Sequence, residues 1–362
     1  MARIINQVAV FGLGKVGELV AVMLGESGFK VIGYDASPRD LPQIEGGGFE
    51  VRPLDVREGL SDALRGVDAI VSCLPYNLNV PVAEAAAEAG VHYFDLTEDV
   101  PTTNRVIELA EGAKVAFAPQ CGLAPGLIGI IGASIAKTFD EIRSIELKVG
   151  ALPQNPTGLL GYAINWSPEG VVNEYLNDCE VLRSGRRQMV PAMTGQERVF
   201  IGGIELEAAL TSGGLGTMCQ TYEGSVQRLD YKTLRYPGHF DQMHFLFDEL
   251  NLRDQPELVG KMLVDSKPPV SDDIVYIHAA VEGVKTGQPF RENYVRGYKP
   301  LDISGRIWRA ISWTTAASAV SVVELVADGV LPGAGFIKQE DITLEQLYST
   351  QAGRHFAEQG RI

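Results

Sequence analysis

Three glycines near the start of the chain have a spacing that can bind phosphate. Gly12, Gly14 and Gly17 form a G-x-G-x-x-G pattern. Lys15 and Val16 stand between the last two glycines, and the pattern separates a short apolar strand sequence from an apolar helix sequence. At such a turn the first glycine permits the tight bend, the second allows close approach of the backbone, and the third lets helix and strand pack. A pyrophosphate would meet the free N–H groups and the positive end of the helix dipole, so we expect these residues to bind a dinucleotide.

A carboxylate follows the second predicted strand at the distance where a ribose is recognised. The apolar run over residues 31–34 ends in Asp35, twenty-three positions after Gly12. Such a carboxylate accepts from the adenosine 2′-hydroxyl and repels a 2′-phosphate, so Asp35 favours NAD over NADP as the cofactor. Arg39 leaves NADP as an alternative, because its guanidinium can pair with a 2′-phosphate. A glycine turn in an ordinary strand–helix–strand unit is the other interpretation of the pattern.

The elements that must position these residues alternate between strands and helices through the first third of the chain. Further strands are predicted over residues 49–52, 69–74, 91–96 and 115–118, with helices over 60–64, 80–89 and 103–112. This alternation predicts a doubly wound, Rossmann-type parallel sheet of the α/β class. Ligands of such sheets bind beyond the carboxyl ends of the strands. We therefore expect further nucleotide contacts from Leu74, Pro75 and Tyr76.

The pattern changes in the second part of the chain. Residues 142–149 alternate like a half-buried strand, and further strands are predicted over 199–204, 229–234 and 274–282. These strands predict an α+β domain for substrate binding and oligomerisation, built on a mostly antiparallel sheet. The apolar helix predicted over 312–328 is expected to pack back on the first domain, because Glu324 and Asp328 interrupt it as a membrane span. The predicted domains are therefore 1–125 with 306–362, and 126–305.

Composition excludes several classes of partner. The formal net charge of −15 disfavours nucleic acid and anionic membranes, whose phosphates would be repelled. The cysteines have neither C-x-x-C nor zinc-ligand spacing, so we expect reduced thiols and no metal site. We find no signal sequence and expect a cytoplasmic homo-oligomer, a dimer, that acts on a small amino acid.

Two further segments carry polar groups suited to catalysis. Residues 120–126 precede an apolar helix and lie where the nicotinamide end of a cofactor would be, so Gly122 is a predicted cofactor contact. Residues 231–239 bring together two tyrosines, two cations and a histidine. Tyr231, Thr233 and Arg235 would share one face of a strand there. The planar Arg235 guanidinium is suited to bind a carboxylate through two hydrogen bonds.

These segments together resemble the saccharopine dehydrogenase family, and most closely its lysine 6-dehydrogenase branch. The resemblance spans residues 7 to about 335 and rests on the motifs GLGKVG, VSCLPYNLN, APQCGLAPG, NWSPEGVVNEY, ALTSGG and YKTLRYPGH. Saccharopine-forming members have an acidic residue between Leu and Pro in the GLAPG segment. Here that position is Ala124, as in the lysine dehydrogenases. The resemblance therefore implies oxidative deamination of the ε-amino group of L-lysine by NAD, giving 2-aminoadipate 6-semialdehyde, ammonia and NADH.

The reaction implied by the resemblance assigns roles to the candidate residues. Arg235 is expected to bind the α-carboxylate, and Asp95 or Glu98 to hold an ammonium or act as a base. Hydride leaves only from a neutral amine, so a base must first remove a proton; His239 is a candidate because its unperturbed pKa is near ~6.5. The other candidates are Tyr231 and Tyr76 as bases, and Thr211 and Ser212 for substrate binding.

Each assignment has a structural alternative. Arg235 can belong to a structural ion pair, His239 can cap the loop after Gly238, and Asp95 can cap the helix that follows it. Thr211 and Ser212 can be ordinary turn residues, and Cys121 is expected to be a small packed residue rather than a nucleophile.

Two other functions stay open at this stage. A saccharopine dehydrogenase or another opine-type imine reductase would use a dicarboxylic second substrate, with extra cations supplied by Arg183, Arg186 or Arg187. A nucleotide-sensing protein would keep the Rossmann fold without turnover. The cluster over 231–239 argues against the latter, since unliganded polar groups cost desolvation energy.

Overall fold

The computed structural model describes residues 3–37 and 48–360. The chain divides into two compact units. The first contains Ile130 and the described residues before it, with Asp302–Trp308 and Ser312–Gln359. The second contains Ile131–Leu301 and Arg309–Ile311, followed by Gly360.

The described residues form strands and helices that we number along the chain. The strands are β1 Gln7–Phe11, β2 Lys30–Asp35, β3 Glu50–Pro53, β4 Ala69–Ser72, β5 His92–Asp95, β6 Ala116–Ala118, β7 Glu141–Pro153, β8 Cys179–Arg183, β9 Arg186–Val190, β10 Glu197–Ile201, β11 Ile204–Leu210, β12 Arg228–Arg235, β13 Asp273–Lys285, β14 Gln288–Tyr298, β15 Leu301–Ile303, β16 Arg306–Trp308 and β17 Gly335–Phe336. The helices are α1 Gly17–Glu26, α2 Leu60–Ala63, α3 Asn79–Ala89, α4 Val100–Ala110, α5 Ile128–Ala136, α6 Pro168–Leu176, α7 Met218–Tyr222, α8 His239–His244, α9 Pro256–Ser266, α10 Ala310–Ala327, α11 Leu344–Ser349 and α12 Arg354–Glu358.

The first unit contains the expected Rossmann-like sheet. Its strand order is β17-β6-β5-β4-β1-β2-β3, and the paired strands are parallel. The central strands β1 and β4 are almost completely buried, as a sheet covered on both faces requires. The carboxyl ends of β5, β4, β1 and β2 therefore lie side by side. Strand β17, which the sequence did not indicate, extends this sheet beyond β6.

From Ser312 onward, helix α10 belongs to the first unit and packs in its interior, as predicted. This helix is long and apolar enough to cross a membrane, but 94% of it is buried inside the protein. Glu324 lies within it and is satisfied locally: its carboxylate accepts from Ser27 Oγ and from the Ala352 and Gln351 N–H groups. The Ala327 carbonyl accepts from Ile4 N.

The second unit is built on a mixed sheet that is mostly antiparallel, as predicted. Its main order is β10-β11-β12-β7-β13-β14, and β8 pairs with both β12 and β9. Only the β12–β7 contact is parallel among the described pairs of this sheet.

The strand predicted over 199–204 is wrong in its continuity: residues 199–201 belong to β10, Gly202 and Gly203 form a turn, and Ile204 begins β11. Gly202 and Gly203 join β10 to β11 with φ values of 58° and 80°. Two successive residues with positive φ make the tight turn that matches the twist of antiparallel strands. The chain therefore reverses where the apolar pattern alone predicts one continuous strand.

Candidate functional site

The three glycines of the first loop have different surroundings. A Cβ at Gly17 would lie 1.8 Å from the Gly12 carbonyl oxygen, and Gly12 itself has a φ of 86°. Neither position can therefore accept a side chain without movement of the loop. A Cβ at Gly14, in contrast, would have nothing within 4 Å. Gly14 thus presents its backbone to open space, where a phosphate can approach closely.

The helix that follows this loop offers hydrogen-bond donors to an anion. Helix α1 begins at Gly17 after Val16, and no described side chain caps its N terminus. The N–H groups at the start of a helix point outward along its axis as donors, and the helix dipole adds positive potential at that end. Lys15 is exposed on the same loop. The residues present therefore fit the pyrophosphate of a dinucleotide.

Asp35 is oriented by the glycine loop. It lies at the end of β2, partly exposed, and its two carboxylate oxygens accept from Leu13 N and Ser37 N, each at 2.9 Å. The hydrogen bond from Leu13 N thus fixes the Asp35 carboxylate to the glycine loop. Arg39, the residue that left NADP open, lies outside the described residues.

The segment after β4 lies against the same loop. The side chain of Leu74 closes on the Gly12 turn, where its Cδ2 would be 3.1 Å from a Cβ. Pro75 is exposed, and Tyr76 is half-buried at the start of a short 3₁₀ turn. The structure therefore places Leu74 at the glycine loop and Pro75 and Tyr76 directly after it.

Asp95 anchors the segment that follows β6. It is fully buried, and its carboxylate accepts from Gln120 N at 2.9 Å, from Thr97 N at 3.0 Å and from Tyr93 Oη at 2.8 Å. Burial raises its pKa to about 6, although these hydrogen bonds act in the opposite direction. Gln120 has a φ of 64°, a backbone conformation that needs such support. Asp95 thus holds this segment in place.

The alternative that Asp95 caps the next helix is wrong. Asp99 is the N-cap of α4, and its carboxylate accepts from Thr102 N at 2.8 Å. For this reason α4 begins at Val100, before the start predicted from the sequence. Glu98, the other candidate carboxylate in this segment, is half-buried, and burial raises its pKa.

Residues 120–126 form a buried, sharply bent segment. Gly122 is buried, and a Cβ there would lie 3.3 Å from the Pro125 carbonyl oxygen. Cys121 Sγ lies 2.9 Å from the Ala118 carbonyl oxygen and 3.3 Å from Gln339 Nε2. Burial raises the pKa of this thiol well above its usual range, which agrees with a packed residue rather than a nucleophile.

In the second unit, Arg235 is the centre of a buried polar cluster at the end of β12. Its Nε donates to Tyr175 Oη at 2.7 Å, and its Nη1 donates to the Leu234 carbonyl at 2.9 Å. Nη2 lies 3.7 Å from Glu174 Oε2. The guanidinium carbon is 4.6 Å from the centre of the Tyr162 ring, within the range of a cation–π contact. The guanidinium is therefore held in one orientation.

His239 is joined to Arg235 through Tyr175. Its Nδ1 is 2.9 Å from the Leu160 carbonyl oxygen, which can only accept, so Nδ1 carries the proton. Its Nε2 is then an acceptor for Tyr175 Oη, 3.0 Å away. Burial, followed by the neighbouring Arg235 charge, lowers the pKa of His239 to about 3. The expectation of a base with an ordinary pKa is therefore wrong.

The loop before α8 is satisfied by another side chain. Gly238 N and Phe240 N each donate to the Glu207 carboxylate at 2.9 Å, so Glu207, and not His239, caps this turn. Glu207 on β11 thereby sets the position of His239, the first residue of α8.

The remaining predicted substrate residues lie on β12 or directly after β11. Thr211 Oγ1 is 2.6 Å from Thr233 Oγ1, and both side chains are buried. Tyr231 is buried against Gly214, and burial raises its pKa above the usual range, so its hydroxyl stays neutral. Ser212 Oγ donates to the Asn173 carbonyl at 3.2 Å. Tyr231 and Arg235 thus lie four residues apart on one face of β12, and Thr211 directly follows β11, the strand paired with β12.

Sequence reasoning did not single out Tyr162, Glu174 and Tyr175. The last two lie on α6, within the motif NWSPEGVVNEY, which was used only as a family signature. Ser167 caps this helix by accepting from Gly170 N at 3.0 Å, and Pro168 follows it. The available signal was the pair of polar residues on an otherwise apolar helix face.

The arginines proposed for a second substrate lie on the β8–β9 hairpin. Arg183 pairs with Asp230 at 2.9 Å, and Arg187 pairs with Glu223 at 3.0 Å. Arg186 is exposed beside the turn. These contacts hold the hairpin and do not involve the residues around Arg235. No group of three His, Cys, Asp or Glu side chains suited to a metal ion occurs within the described ranges.

Two family descriptions match consecutive parts of the chain. "Saccharopine dehydrogenase NADP binding domain" matches residues 8–118, and "Saccharopine dehydrogenase C-terminal domain" matches residues 122–354. The chain belongs to the saccharopine dehydrogenase family. It is therefore a member of an oxidoreductase family with a nucleotide-binding Rossmann fold, and the family match continues past residue 335.

Curated relatives match part of this family member. The mitochondrial alpha-aminoadipic semialdehyde synthase of Mus musculus is 25% identical over 149 residues, 38% of this chain and 16% of the relative. A saccharopine dehydrogenase [NADP(+), L-glutamate-forming] of Pyricularia oryzae is 23% identical over 194 residues, 50% of this chain and 42% of the relative. The matches thus cover less than half of the length of either relative.

Solved structures share the fold of this family member. Apo saccharopine dehydrogenase (L-Glu forming) from Saccharomyces cerevisiae superposes with a TM-score of 0.73 at 15% identity, covering 97% of each chain. An engineered D-amino acid dehydrogenase bound to NADP+ has a TM-score of 0.50 at 14% identity, covering 97% of this chain and 98% of the other.

Proposed function

We propose that this protein is an NAD-dependent dehydrogenase that deaminates the ε-amino group of L-lysine. The observation that carries the proposal is Arg235, a buried cation held rigidly by Tyr175 and Leu234. One such guanidinium suits one carboxylate. Saccharopine would bring two more carboxylates, while Arg183 and Arg187, two of the arginines predicted for them, pair with Asp230 and Glu223. Ala124 in the GLAPG segment agrees with the lysine 6-dehydrogenase resemblance.

The proposed reaction oxidises the ε-amine to an imine, which water then hydrolyses. The neutral ε-amine loses a hydride from its carbon to the nicotinamide and a proton from its nitrogen, giving an imine and NADH. Water adds to the imine, and ammonia leaves as the aldehyde forms. Arg235 binds the α-carboxylate, and Tyr231 lies four residues before it on the same face of β12. Of the candidate bases, His239 has both ring nitrogens engaged, so we assign it a structural role.

The choice of nucleotide is predicted from Asp35. NAD is expected to be used better than NADP, because the carboxylate, fixed by Leu13 N, would repel a 2′-phosphate. Replacing Asp35 with serine should narrow the preference about ten- to a hundredfold, equivalent to roughly 1–3 kcal/mol. Steady-state kcat/KM for both nucleotides measures this. Preference of the unmodified protein for NADP would contradict the prediction and make Arg39 the relevant residue.

The pH dependence follows from the substrate and from His239. Turnover should rise with alkaline pH, because the ε-ammonium has an unperturbed pKa of about 10.4 and only the neutral amine reacts. His239 should contribute no limb near pH 6.5, since its pKa is lowered to about 3 and it is neutral throughout that range. The profile of kcat/KM from pH 5 to 10 checks both points. A limb near pH 6.5 that disappears in His239→Asn would show that His239 titrates in catalysis.

The second candidate function is oxidation of saccharopine, favoured by the names of the relative from Pyricularia oryzae and the structure from Saccharomyces cerevisiae. One assay separates the candidates. NADH formation with NAD is compared for L-lysine and saccharopine, and NADH consumption is measured for L-lysine with 2-oxoglutarate. We expect turnover of lysine alone.

A further inference from the structure

Two opposite charges lie side by side inside the second unit without forming a close ion pair. Arg235 Nη2 and Glu174 Oε2 are 3.7 Å apart, and the side chains are 3% and 11% exposed. A buried pair kept for stability gains most from short, bidentate hydrogen bonds of about 2.7–2.9 Å. This pair does not have that geometry, although both partners lie on well-defined elements, β12 and α6.

The guanidinium is prevented from turning further toward Glu174 by neutral groups. Arg235 Nε donates to Tyr175 Oη, Tyr175 donates to His239 Nε2, and His239 Nδ1 donates to the Leu160 carbonyl. Each donor in this series of hydrogen bonds has one acceptor, so the direction of every bond is determined. Because the groups in this series of hydrogen bonds are uncharged, they orient the guanidinium without neutralising its charge.

We propose that Glu174 and Arg235 together form a receptor for the head group of an α-amino acid. Arg235 takes the α-carboxylate and Glu174 takes the α-ammonium. Both groups are bonded to the α-carbon of the amino acid, so a receptor for them needs two opposite charges next to each other. This inference rests on the proposed function and names Glu174 as the residue that makes an α-amino group a requirement. Tyr175 and His239 are positioning residues for Arg235.

The test uses ligands that each lack one charge of the head group. Binding of L-lysine, 6-aminohexanoate (no α-ammonium) and 1,5-diaminopentane (no carboxylate) is measured by calorimetry with the NADH-loaded full chain, which cannot oxidise them. The unmodified protein should prefer lysine over 6-aminohexanoate. In Glu174→Gln the affinity for lysine should fall roughly 10- to 100-fold, while that for 6-aminohexanoate stays unchanged. Glu169→Gln, on the exposed side of α6, is the matched control and should bind as the unmodified protein does.

The outcomes separate this inference from the reaction itself. Equal loss of affinity for lysine and 6-aminohexanoate in Glu174→Gln would overturn the receptor, as would lack of preference in the unmodified protein. If Glu174→Gln fails to fold, Glu174→Asp replaces it and should keep the preference for lysine at weaker affinity; loss of that preference would contradict the role. If the unmodified protein oxidises only saccharopine, the proposed function fails. The same comparison is then made with saccharopine and its analogue lacking the lysyl α-ammonium.

Discussion

Replacing Arg235 with lysine is expected to raise the KM for L-lysine about 100-fold. The substitution keeps the charge but loses the planar fork that binds a carboxylate through two hydrogen bonds and is held by Tyr175. A hundredfold change corresponds to about 2.7 kcal/mol, within the range of a charge-assisted hydrogen bond. The KM for NAD should be unchanged. Steady-state kinetics with lysine and NAD as the varied substrates measure both values.

A control substrate separates substrate binding from structural support. Turnover of 1,5-diaminopentane, which has no carboxylate, should be the same in Arg235→Lys and in the unmodified protein. Arg187→Lys, on the exposed β8–β9 hairpin, is the matched control variant and should leave the lysine KM unchanged. If Arg235→Lys lowers turnover of both substrates equally and also lowers the melting temperature without ligand, the arginine belongs to a structural ion pair.

The glycine loop gives the second large effect. Gly14→Ala should weaken NAD binding about 100-fold and leave the melting temperature without ligand unchanged. Its new methyl group would enter open space, with nothing of the protein within 4 Å, and would meet the pyrophosphate instead. Gly17→Ala should instead lower the melting temperature, because its Cβ would lie 1.8 Å from the Gly12 carbonyl oxygen.

Nucleotide titration and thermal unfolding of the two variants check this contrast. Gly25→Ala, within α1 and with no atom within 4 Å of the new Cβ, is the control for a methyl group added to this region. It should leave the NAD affinity unchanged and raise the melting temperature slightly, because alanine is up to about 1 kcal/mol more favourable than glycine inside a helix. Undiminished NAD affinity in a folded Gly14→Ala variant would mean that the phosphates do not lie at this loop.

The first sheet was predictable because burial of its central strands produces an apolar pattern that is visible in the sequence. Its central strands are buried on both faces and are therefore apolar runs, and the glycine spacing locates the first strand-to-helix turn. Strands β1, β2, β4 and β5 therefore lie within or close to their predicted bounds. Strand β17 was missed because it has two residues and no pattern of its own.

The hairpins of the second unit were harder to predict. Ser184-Gly185, Gly202-Gly203 and Thr286-Gly287 each make a two-residue turn with both φ values positive. The glycine at the second position of each turn was the available signal. It was a weak one, because such a dipeptide indicates a hairpin only when the flanking residues are recognised as strands. Strands β9 and β14 are exposed along most of their length, so apolar and polar residues do not alternate regularly in them.

Candidate site residues could be chosen from the sequence where residue type decides the chemistry, but not where the surroundings decide it. Arg235 could be singled out because a guanidinium among polar residues indicates carboxylate binding, and the structure places it in a buried polar cluster. The role of His239 was misjudged, since burial and the Arg235 charge, which lower its pKa, arise only in the folded chain. Glu174 and Tyr175 lie about sixty residues before Arg235 and reach it only through tertiary packing.

Product analysis tests the central claim, deamination of free lysine, most directly. The protein is incubated with NAD and either L-lysine or saccharopine, and ammonia, glutamate and the cyclised semialdehyde are quantified. We expect ammonia and semialdehyde from lysine in amounts equal to the NADH formed. Saccharopine should react poorly, because its glutamate arm adds two carboxylates that must be desolvated and paired. Glutamate from saccharopine, with no ammonia from lysine, would contradict the proposal and identify the protein as a saccharopine dehydrogenase.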